Sequence, residues 1–232
     1  MKINEELIEY GYFHRRVNRF VAEVLVEDNL HQVHVPNSGR MKELLIEGNT
    51  IALIKKAGNH RKTKYQLSFV KAGDCWVSID SMLPNRLMAA AVKNKSLEFF
   101  KDYFLGATEI TIGKSRLDML LYHEHTGKRL FVENKSVTLV EKGVAKFPDA
   151  PTERGTKHLK ELTMLVKAGE EAAVIFLVQR NDAEFFTPND DTDGVFGDAL
   201  RKAAFSGVKV WAITCEVSPR EVKIHKELLV KL

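Results

Sequence analysis

The apolar residues in the first part of the chain recur in short runs rather than at helical spacing. Between Tyr12 and Asp80 these runs are rich in β-branched and aromatic residues, and turn-forming pairs such as Asp28-Asn29 and Gly48-Asn49 separate them. Runs of this kind are typical of β-strands. The pattern therefore predicts a small all-β barrel.

The periodicity changes at Pro84, where a second unit begins. Helical spacing of the next apolar residues predicts a helix that contains Leu87, Met88, Ala91 and Val92. Strand-like runs then follow at about 108–122 and 129–140, with a helix at 152–168, a strand at 172–180, a helix at 194–206 and a last strand from Val208. Hairpin strands followed by alternating helices and strands predict an α/β domain with a mixed sheet. We place the boundary near Met82, so the units are residues 1–82 and 83–232 and the fold is α+β overall.

Two carboxylates and a lysine lie on the predicted hairpin of the second unit. Side chains two residues apart in a strand share a face, so Glu133 and Lys135 project together while Asn134 points away. Asp118 lies on the preceding run, and Thr126-Gly127-Lys128 between the two runs favours a hairpin turn. The hairpin therefore brings Asp118, Glu133 and Lys135 to one place.

This combination of side chains suits metal-dependent cleavage of a phosphodiester. Mg²⁺ or Mn²⁺ takes oxygen ligands, which Asp118 and Glu133 can supply, and it neutralises charge and activates water. Lys135 would orient the attacking water or stabilise the transition state, which makes the three residues the candidate catalytic set. The alternative is structural: the carboxylates would form a salt bridge with Lys135 or with Arg116.

Longer segments around this hairpin resemble the sugar fermentation stimulation protein family. The similarity includes 132–140 (VENKSVTLV) and 147–162 (FPDAPTERGTKHLKEL), continues through 174–180 and 188–189, and in the first unit includes 11–13, 15–16, 19–20, 35–39 and 61–65. It therefore spans nearly the whole chain. The resemblance implies an N-terminal OB-like barrel joined to a restriction-endonuclease-like domain similar to PD-(D/E)xK nucleases, and a DNA-binding role linked to the regulation of sugar metabolism.

Two positions depart from the pattern that the resemblance implies. Leu117 stands where the nuclease signature has its nominal proline, and Asn134 stands where the family is expected to have an aliphatic residue. The first departure is common among such nucleases. The second residue points to the opposite face of its strand, so neither departure removes a metal ligand.

Composition agrees with a globular protein of the cytoplasm. The chain of 232 residues is 44% hydrophobic and 28% charged, which is enough for a substantial core. Cys75 and Cys215 are far apart, which disfavours a disulfide framework or a cysteine zinc site. The first residues lack a secretory signal, and the longest apolar run, 172–178, is too short to cross a membrane. We therefore expect no membrane partner.

Positive charge is concentrated in two parts of the first unit, although the net charge is only +4. Residues 48–73 contain no Asp or Glu, and they carry the candidate DNA-binding residues Lys55, Lys56, Arg61, Lys62 and Lys64. A second group interleaves with Tyr12, Phe13 and Phe20 and consists of Arg15, Arg16 and Arg19. OB barrels bind single strands with basic grooves and stacked aromatics, which suits this combination. The alternative is a solvated hairpin with aromatics in the core.

The predicted helix at 152–168 follows the candidate site and has two faces. Its apolar stripe would pack on the sheet, and Asp149 or Thr152 would cap its start. Helix N-termini and basic side chains suit phosphate, so Arg154 and Lys157 are candidates for binding a DNA backbone. His158 is either part of the site or an ordinary polar residue at the sheet edge.

Two functions of different classes remain open from the sequence. In the first, the protein binds single- or double-stranded DNA and has a Mg²⁺- or Mn²⁺-dependent nuclease-like site. In the second, the nuclease-like fold serves a non-catalytic, sequence-nonspecific DNA-binding regulator of sugar metabolism genes. Retention of Asp118, Glu133 and Lys135 favours the first.

Overall fold

The first unit is a β-barrel, as the sequence predicts. The computed structural model describes residues 1–56, 63–113 and 115–232. The strand order is β3-β2-β1-β4-β5-β6, and a parallel pairing of β3 with β5 closes the first five strands into a barrel. This is the strand order of an OB fold. The strands are β1 (Ile8–Asn18), β2 (Val21–Val26), β3 (Asn29–His34), β4 (Thr50–Lys55), β5 (Tyr65–Ala72) and β6 (Cys75–Ser78).

Strand alternation separates the barrel core from its surface. In β2, Ala22, Val24 and Val26 belong to the buried core, whereas Leu25 is exposed. The long strand β1 pairs with both β2 and β4, and its register to β2 shifts twice, after Phe13 and after Arg16. Such bulges bend a strand, which lets β1 curve around the barrel.

The second unit is a mixed sheet with helices on both faces. Its helices are α1 (Leu83–Lys93), α2 (Glu153–Lys167) and α3 (Asp190–Phe205). In the described residues, no helix combines the length and the apolar character that a membrane-spanning helix needs. The strand order is β10-β11-β13-β15-β14-β12-β9-β8-β7. The strands are β7 (Tyr103–Ile112), β8 (Ser115–His123), β9 (Arg129–Val137), β10 (Val140–Glu141), β11 (Val144–Phe147), β12 (Glu171–Val178), β13 (Phe185–Pro188), β14 (Lys209–Val217) and β15 (Val222–Val230).

The central strand β12 divides the core of this unit into two layers. Ile175 and Leu177 pack in one cluster with Met88 of α1, and Val174 and Phe176 pack in the other with residues of α2 and α3. The α1-side cluster also includes Ala52 and Phe69 of the barrel, so this core layer continues from one unit into the other. β12 runs parallel to β9 and β14, whereas β8 runs antiparallel to β9. The predicted mixed sheet is confirmed.

Several predicted strand boundaries are wrong. The run at 108–122 is two strands, β7 and β8, because the chain reverses at Gly113, whose φ of 57° favours glycine. The run at 129–140 ends as a strand at Val137, where its pairing with β12 also ends. The sequence prediction omitted β10, β11, β13 and β15. Three of these have two to four residues, which is too short for a clear periodicity.

One arginine at the end of β1 holds two neighbouring segments of the barrel together. A guanidinium has five N–H donors, and each N–H of Arg16 is used by a backbone carbonyl. The acceptors lie 2.5–3.2 Å away and belong to Asn18, Arg19, Asn37, Gly39 and Arg40. Arg16 therefore fixes the turn after β1 and the loop at 37–40 relative to each other.

We expect Arg16→Lys to destabilise the protein by about 2 kcal/mol, because an ammonium has three donors in place of five and leaves carbonyls unpaired. Urea unfolding of both proteins measures the difference. Arg19→Lys is the matched control, since that side chain is exposed and should change stability by less than about 0.5 kcal/mol. Equal stability of Arg16→Lys and wild type would contradict the anchoring role.

Candidate metal and nucleic-acid site

The candidate site forms where β8 separates from β9. The two strands pair from Tyr122 opposite Arg129 to Met119 opposite Val132, and the pairing ends one residue before Asp118. Beyond this point the N–H of Asn134 donates to Asp118 Oδ2 at 2.7 Å. The carboxylate therefore satisfies a backbone donor that a continued ladder would have paired. The predicted proximity of Asp118 to the Glu133–Lys135 segment is present in the structure.

Asp118 lies in a closed ring of hydrogen bonds with two asparagines. Asn85 of α1 donates its Nδ2 to Asp118 Oδ1 at 2.7 Å, and Asn134 donates its Nδ2 to Asn85 Oδ1 at 3.1 Å. Burial raises the pKa of Asp118, and the nearby charge of Glu133 raises it further, although the hydrogen bonds from Asn134 and Asn85 oppose this. The fold thus holds this carboxylate in a place that disfavours its charge.

Glu133 lies on the face of β9 opposite to the Asn134 side chain, towards α2. It is 4% exposed, and its Oε1 accepts hydrogen bonds from His158 Nδ1 and, at 2.7 Å, from Lys135 Nζ. Burial alone would raise the pKa of Glu133, but the hydrogen bond from His158 and the charge of Lys135 lower it overall. Its second oxygen, Oε2, is buried and has no hydrogen-bond partner within the described residues. A buried charged oxygen in this state is available to a cation.

One of the two salt bridges of the alternative interpretation, in which the carboxylates pair with Lys135 or Arg116, is also present. Lys135 forms an ion pair with Glu133, whereas Arg116 lies 3.7 Å from Glu109 and does not join the site. Because the lysine uses only Oε1, this ion pair leaves Oε2 for another ligand. A salt bridge and a metal ligand are therefore compatible functions of Glu133.

The start of α2 completes this side of the site. Thr152 caps the helix by accepting the N–H of Gly155 at 3.1 Å, so Thr152 rather than Asp149 is the cap. His158 is buried against Glu133, and the Nε of Arg154 lies 3.5 Å from its Nε2. His158 thus belongs to the same cluster of polar side chains as Asp118, Glu133 and Lys135.

Two contributors to the cluster were difficult to recognise from the sequence. The sequence leaves the role of His158 open, because a single histidine on a helix has no distinctive spacing. No sequence pattern indicates Asn85, because it reaches Asp118 from a helix that is distant in the chain. Only the packing of α1 on the sheet reveals that contact.

A groove of about 900 Å³ lies over these residues, between the two units. Its floor includes Asp118, Glu133 and Lys135; one wall comes from the end of β1 and the loop at 37–40, and the other from residues 146–155. The walls meet where Met41 donates its N–H to Asp149 Oδ2 at 3.2 Å. The cationic side chains that line the groove are Arg16, Arg19, Arg40, Lys135, Lys146 and Arg154, against the carboxylates Asp118, Glu133 and Asp149.

Among the described residues, the other predicted DNA-binding side chains do not line this groove. Lys55 forms an ion pair with Glu9 at 2.9 Å, and Lys64 lies over the ring of Tyr65. Lys55 and Lys56 lie at the end of β4, which pairs with the start of β1. The distance along β1 from that point to Arg16 is about 26 Å. Arg61 and Lys62 lie outside the described residues. The further basic residues Arg15 and Lys157 pair with Glu23 and Glu161, respectively.

The aromatic side chains of the first unit differ in exposure, and Gln179 of the second unit is buried. Phe13 belongs to the barrel core, whereas Tyr12 and Phe20 are exposed. Gln179 is fully buried and donates to Ser136 Oγ at 2.7 Å, so it holds a residue that lines the groove.

Replacing Asp118 by Asn is expected to stabilise the metal-free protein at pH 7. Because the fold raises the pKa of Asp118, protonation of this carboxyl stabilises the folded protein. This contribution to the free energy of unfolding is fully present below the unfolded pKa of about 3.9, and it is lost as the pH rises through the pKa of the folded state. An amide is neutral at every pH, and the hydrogen-bond ring persists if Asn85 and Asn134 both flip.

Urea midpoints of wild type and Asp118→Asn in a chelating buffer test this expectation. The variant should unfold at higher urea at pH 7, and the two midpoints should converge as the pH falls toward about 4. A variant that is less stable than wild type at pH 7 would contradict the strained environment assigned to Asp118.

Comparison with known proteins matches two parts of the chain to family models. Residues 15–79 match the model of the SfsA N-terminal OB domain, and residues 82–221 match the sugar fermentation stimulation protein RE domain. The structure is similar to that of Pyrococcus furiosus SfsA in complex with Ca²⁺, with 29% identity, a TM-score of 0.91 and coverage of 100% of this chain and 98% of the other. The OB-like barrel and the restriction-endonuclease-like α/β domain are therefore confirmed.

Curated relatives match nearly the whole chain. A sugar fermentation stimulation protein homolog from Desulforamulus reducens is 48% identical over 98% of this chain and 93% of its own. A homolog from Clostridium acetobutylicum is 41% identical over 100% of both chains. The chain belongs to the sugar fermentation stimulation protein family.

Proposed function

We propose that the protein is a DNA-binding phosphodiesterase that depends on Mg²⁺ or Mn²⁺. Asp118 and Glu133 would be the metal ligands, and Lys135 would act with them in hydrolysis. The observation that carries this proposal is the buried, unpartnered Oε2 of Glu133 in the same groove floor as Asp118. A buried anionic oxygen without a hydrogen-bond donor is unfavourable, and a cation with its bound waters in the adjacent space would relieve this cost.

The donor set fits a hard divalent cation. Within the described residues no group of three or more His, Cys, Asp and Glu side chains is placed to hold a metal. Two carboxylates would therefore leave other positions to water and phosphate oxygens, which is how Mg²⁺ usually binds. The Ca²⁺ complex of the Pyrococcus furiosus relative supports a divalent cation in this fold.

The residues of the cluster would have distinct roles. Hydrolysis joins the oxygen of water to phosphorus and breaks the bond to the leaving oxygen, which gains a proton. A bound divalent cation supplies charge neutralisation and a more acidic water. Lys135, 11% exposed at its side chain, would donate to the water or to a phosphate oxygen as charge develops. His158 would hold Glu133 so that its Oε2 faces the cation.

The groove favours a polyanionic substrate. Six cationic side chains line it against three carboxylates, and two of those carboxylates are the proposed metal ligands. In this proposal residues 1–82 and 83–232 are two domains that each contribute a wall. DNA would bind through its phosphates and without strong sequence preference.

The second candidate is a non-catalytic DNA-binding protein with the same groove. The ion pair of Lys135 with Glu133 favours it, because a lysine can neutralise a vestigial carboxylate after loss of activity. Turnover separates the two candidates.

We expect the wild type with Mg²⁺ or Mn²⁺ to cut at least one of four substrates: single-stranded, duplex or branched DNA, or RNA. Glu133→Gln and Lys135→Ala should each reduce the rate by at least about 100-fold, because one removes a cation ligand and the other a charge that acts in the transition state. Gel assays of labelled substrates measure this.

The matched control is Glu98→Gln, since the Glu98 side chain is 86% exposed and lies outside the groove. It should cut like wild type, and thermal unfolding should show that all variants fold. A wild type that cuts none of the four substrates at saturating metal would remove the enzyme proposal and leave the non-catalytic one.

A further inference from the structure

Three exposed arginines around the groove have no carboxylate partner in the described part of the chain. Arg19 follows β1, Arg40 lies on the 37–40 loop and Arg154 lies in the first turn of α2. No Asp or Glu of the described residues is within ion-pair distance of any of them; Arg154 makes one 3.5 Å contact with His158. Unneutralised guanidiniums at the rim of a groove attract phosphates, which they can bind in a bidentate manner.

Four other cations of the barrel and groove differ from these three. Arg15, Lys55 and Lys146 each form an ion pair with a glutamate at 2.6–2.9 Å. Arg16 lines the groove, but its five N–H groups all bind backbone carbonyls. Of the charges in the barrel wall, Arg19 and Arg40 are therefore the two whose donors are available to a ligand.

Arg16 also positions these two arginines. Its guanidinium binds the carbonyl of Arg19 at 2.6 Å and that of Arg40 at 2.9 Å, so one side chain fixes both backbones relative to each other. The loop is held from the opposite wall as well, because Asp149 accepts the N–H of Met41. A Cβ at Gly39 would lie 2.8 Å from Asp149 Oδ2, so glycine permits this close approach without a shift of the Asp149 side chain. The backbones that carry Arg19 and Arg40 are thus fixed relative to each other at the rim of the groove.

We propose that Arg19 and Arg40 of the barrel and Arg154 of α2 form a clamp for a continuous phosphodiester strand. The inference rests on the proposed function for the identity of the ligand. Because the arginines come from three segments on two walls, they contact phosphates on both sides of the cluster of Asp118 and Glu133. The barrel therefore holds DNA with this rim, and the basic end at Lys55 and Lys64 is not part of the binding surface.

The clamp is tested by the salt dependence of binding to a labelled oligonucleotide, single-stranded and duplex, in Ca²⁺. Each lost phosphate contact lowers the slope of log K against log salt by about 0.7 for a single strand and about 0.9 for a duplex. Arg19→Gln with Arg40→Gln should therefore lower the slope by about 1.4–1.8. Arg154→Gln should lower it further. Lys55→Gln with Lys64→Gln is the matched control and should leave the slope unchanged.

The salt-dependence results test the proposed clamp independently of whether the protein cleaves DNA. A lower slope in the Arg19 and Arg40 double variant supports the clamp even if wild type cuts nothing. An unchanged slope in that variant, a lower slope in the control instead, or a wild type that binds neither strand form would overturn the clamp. Cleavage by a wild type with an unchanged double-variant slope would retain the proposed function and reject the clamp alone.

Discussion

The separation of β8 from β9 at Asp118 is the feature on which the rest of the site depends. If the two strands continued to pair, the N–H of Asn134 would bind a backbone carbonyl and the space beside Glu133 would close. The Asp118 carboxylate takes that donor instead, so the sheet opens without leaving a buried N–H unpaired. β9 keeps its parallel partner β12 through the same region, which holds Glu133 and Lys135 in place.

The two carboxylates lie in opposite electrostatic environments. Burial and the charge of Glu133 raise the pKa of Asp118, whereas His158 and Lys135 lower that of Glu133 against its own burial. A cation between them would relieve the strain on Asp118 and give the free Oε2 of Glu133 a partner. The barrel adds a wall that Arg16 holds through five hydrogen bonds, so the electrostatics of the groove depend on both units.

The sequence predicted the elements with strong periodicity and the proximity of the triplet, but little of what surrounds it. Helices α1 and α2 and the barrel strands have clear periods, and Asp118, Glu133 and Lys135 are close in sequence across one hairpin. Asn85 contributes through the packing of α1 on the sheet, and Arg40 contributes where the barrel faces the second unit across the groove. No local sequence pattern encodes either contact. Charge density favoured the segment around Lys55, but ion pairing and the course of β1 decide which cations reach the groove.

The most direct test of the account is a crystal of the wild-type protein soaked in Mn²⁺ and measured at the manganese absorption edge. The account predicts an anomalous peak within about 2.0–2.6 Å of Glu133 Oε2 and an oxygen of Asp118, with the remaining positions filled by water. The Glu133→Gln crystal should lose the peak. A saturating soak that shows no density between the two carboxylates, or Mn²⁺ only elsewhere on the molecule, would contradict the assignment of a metal site.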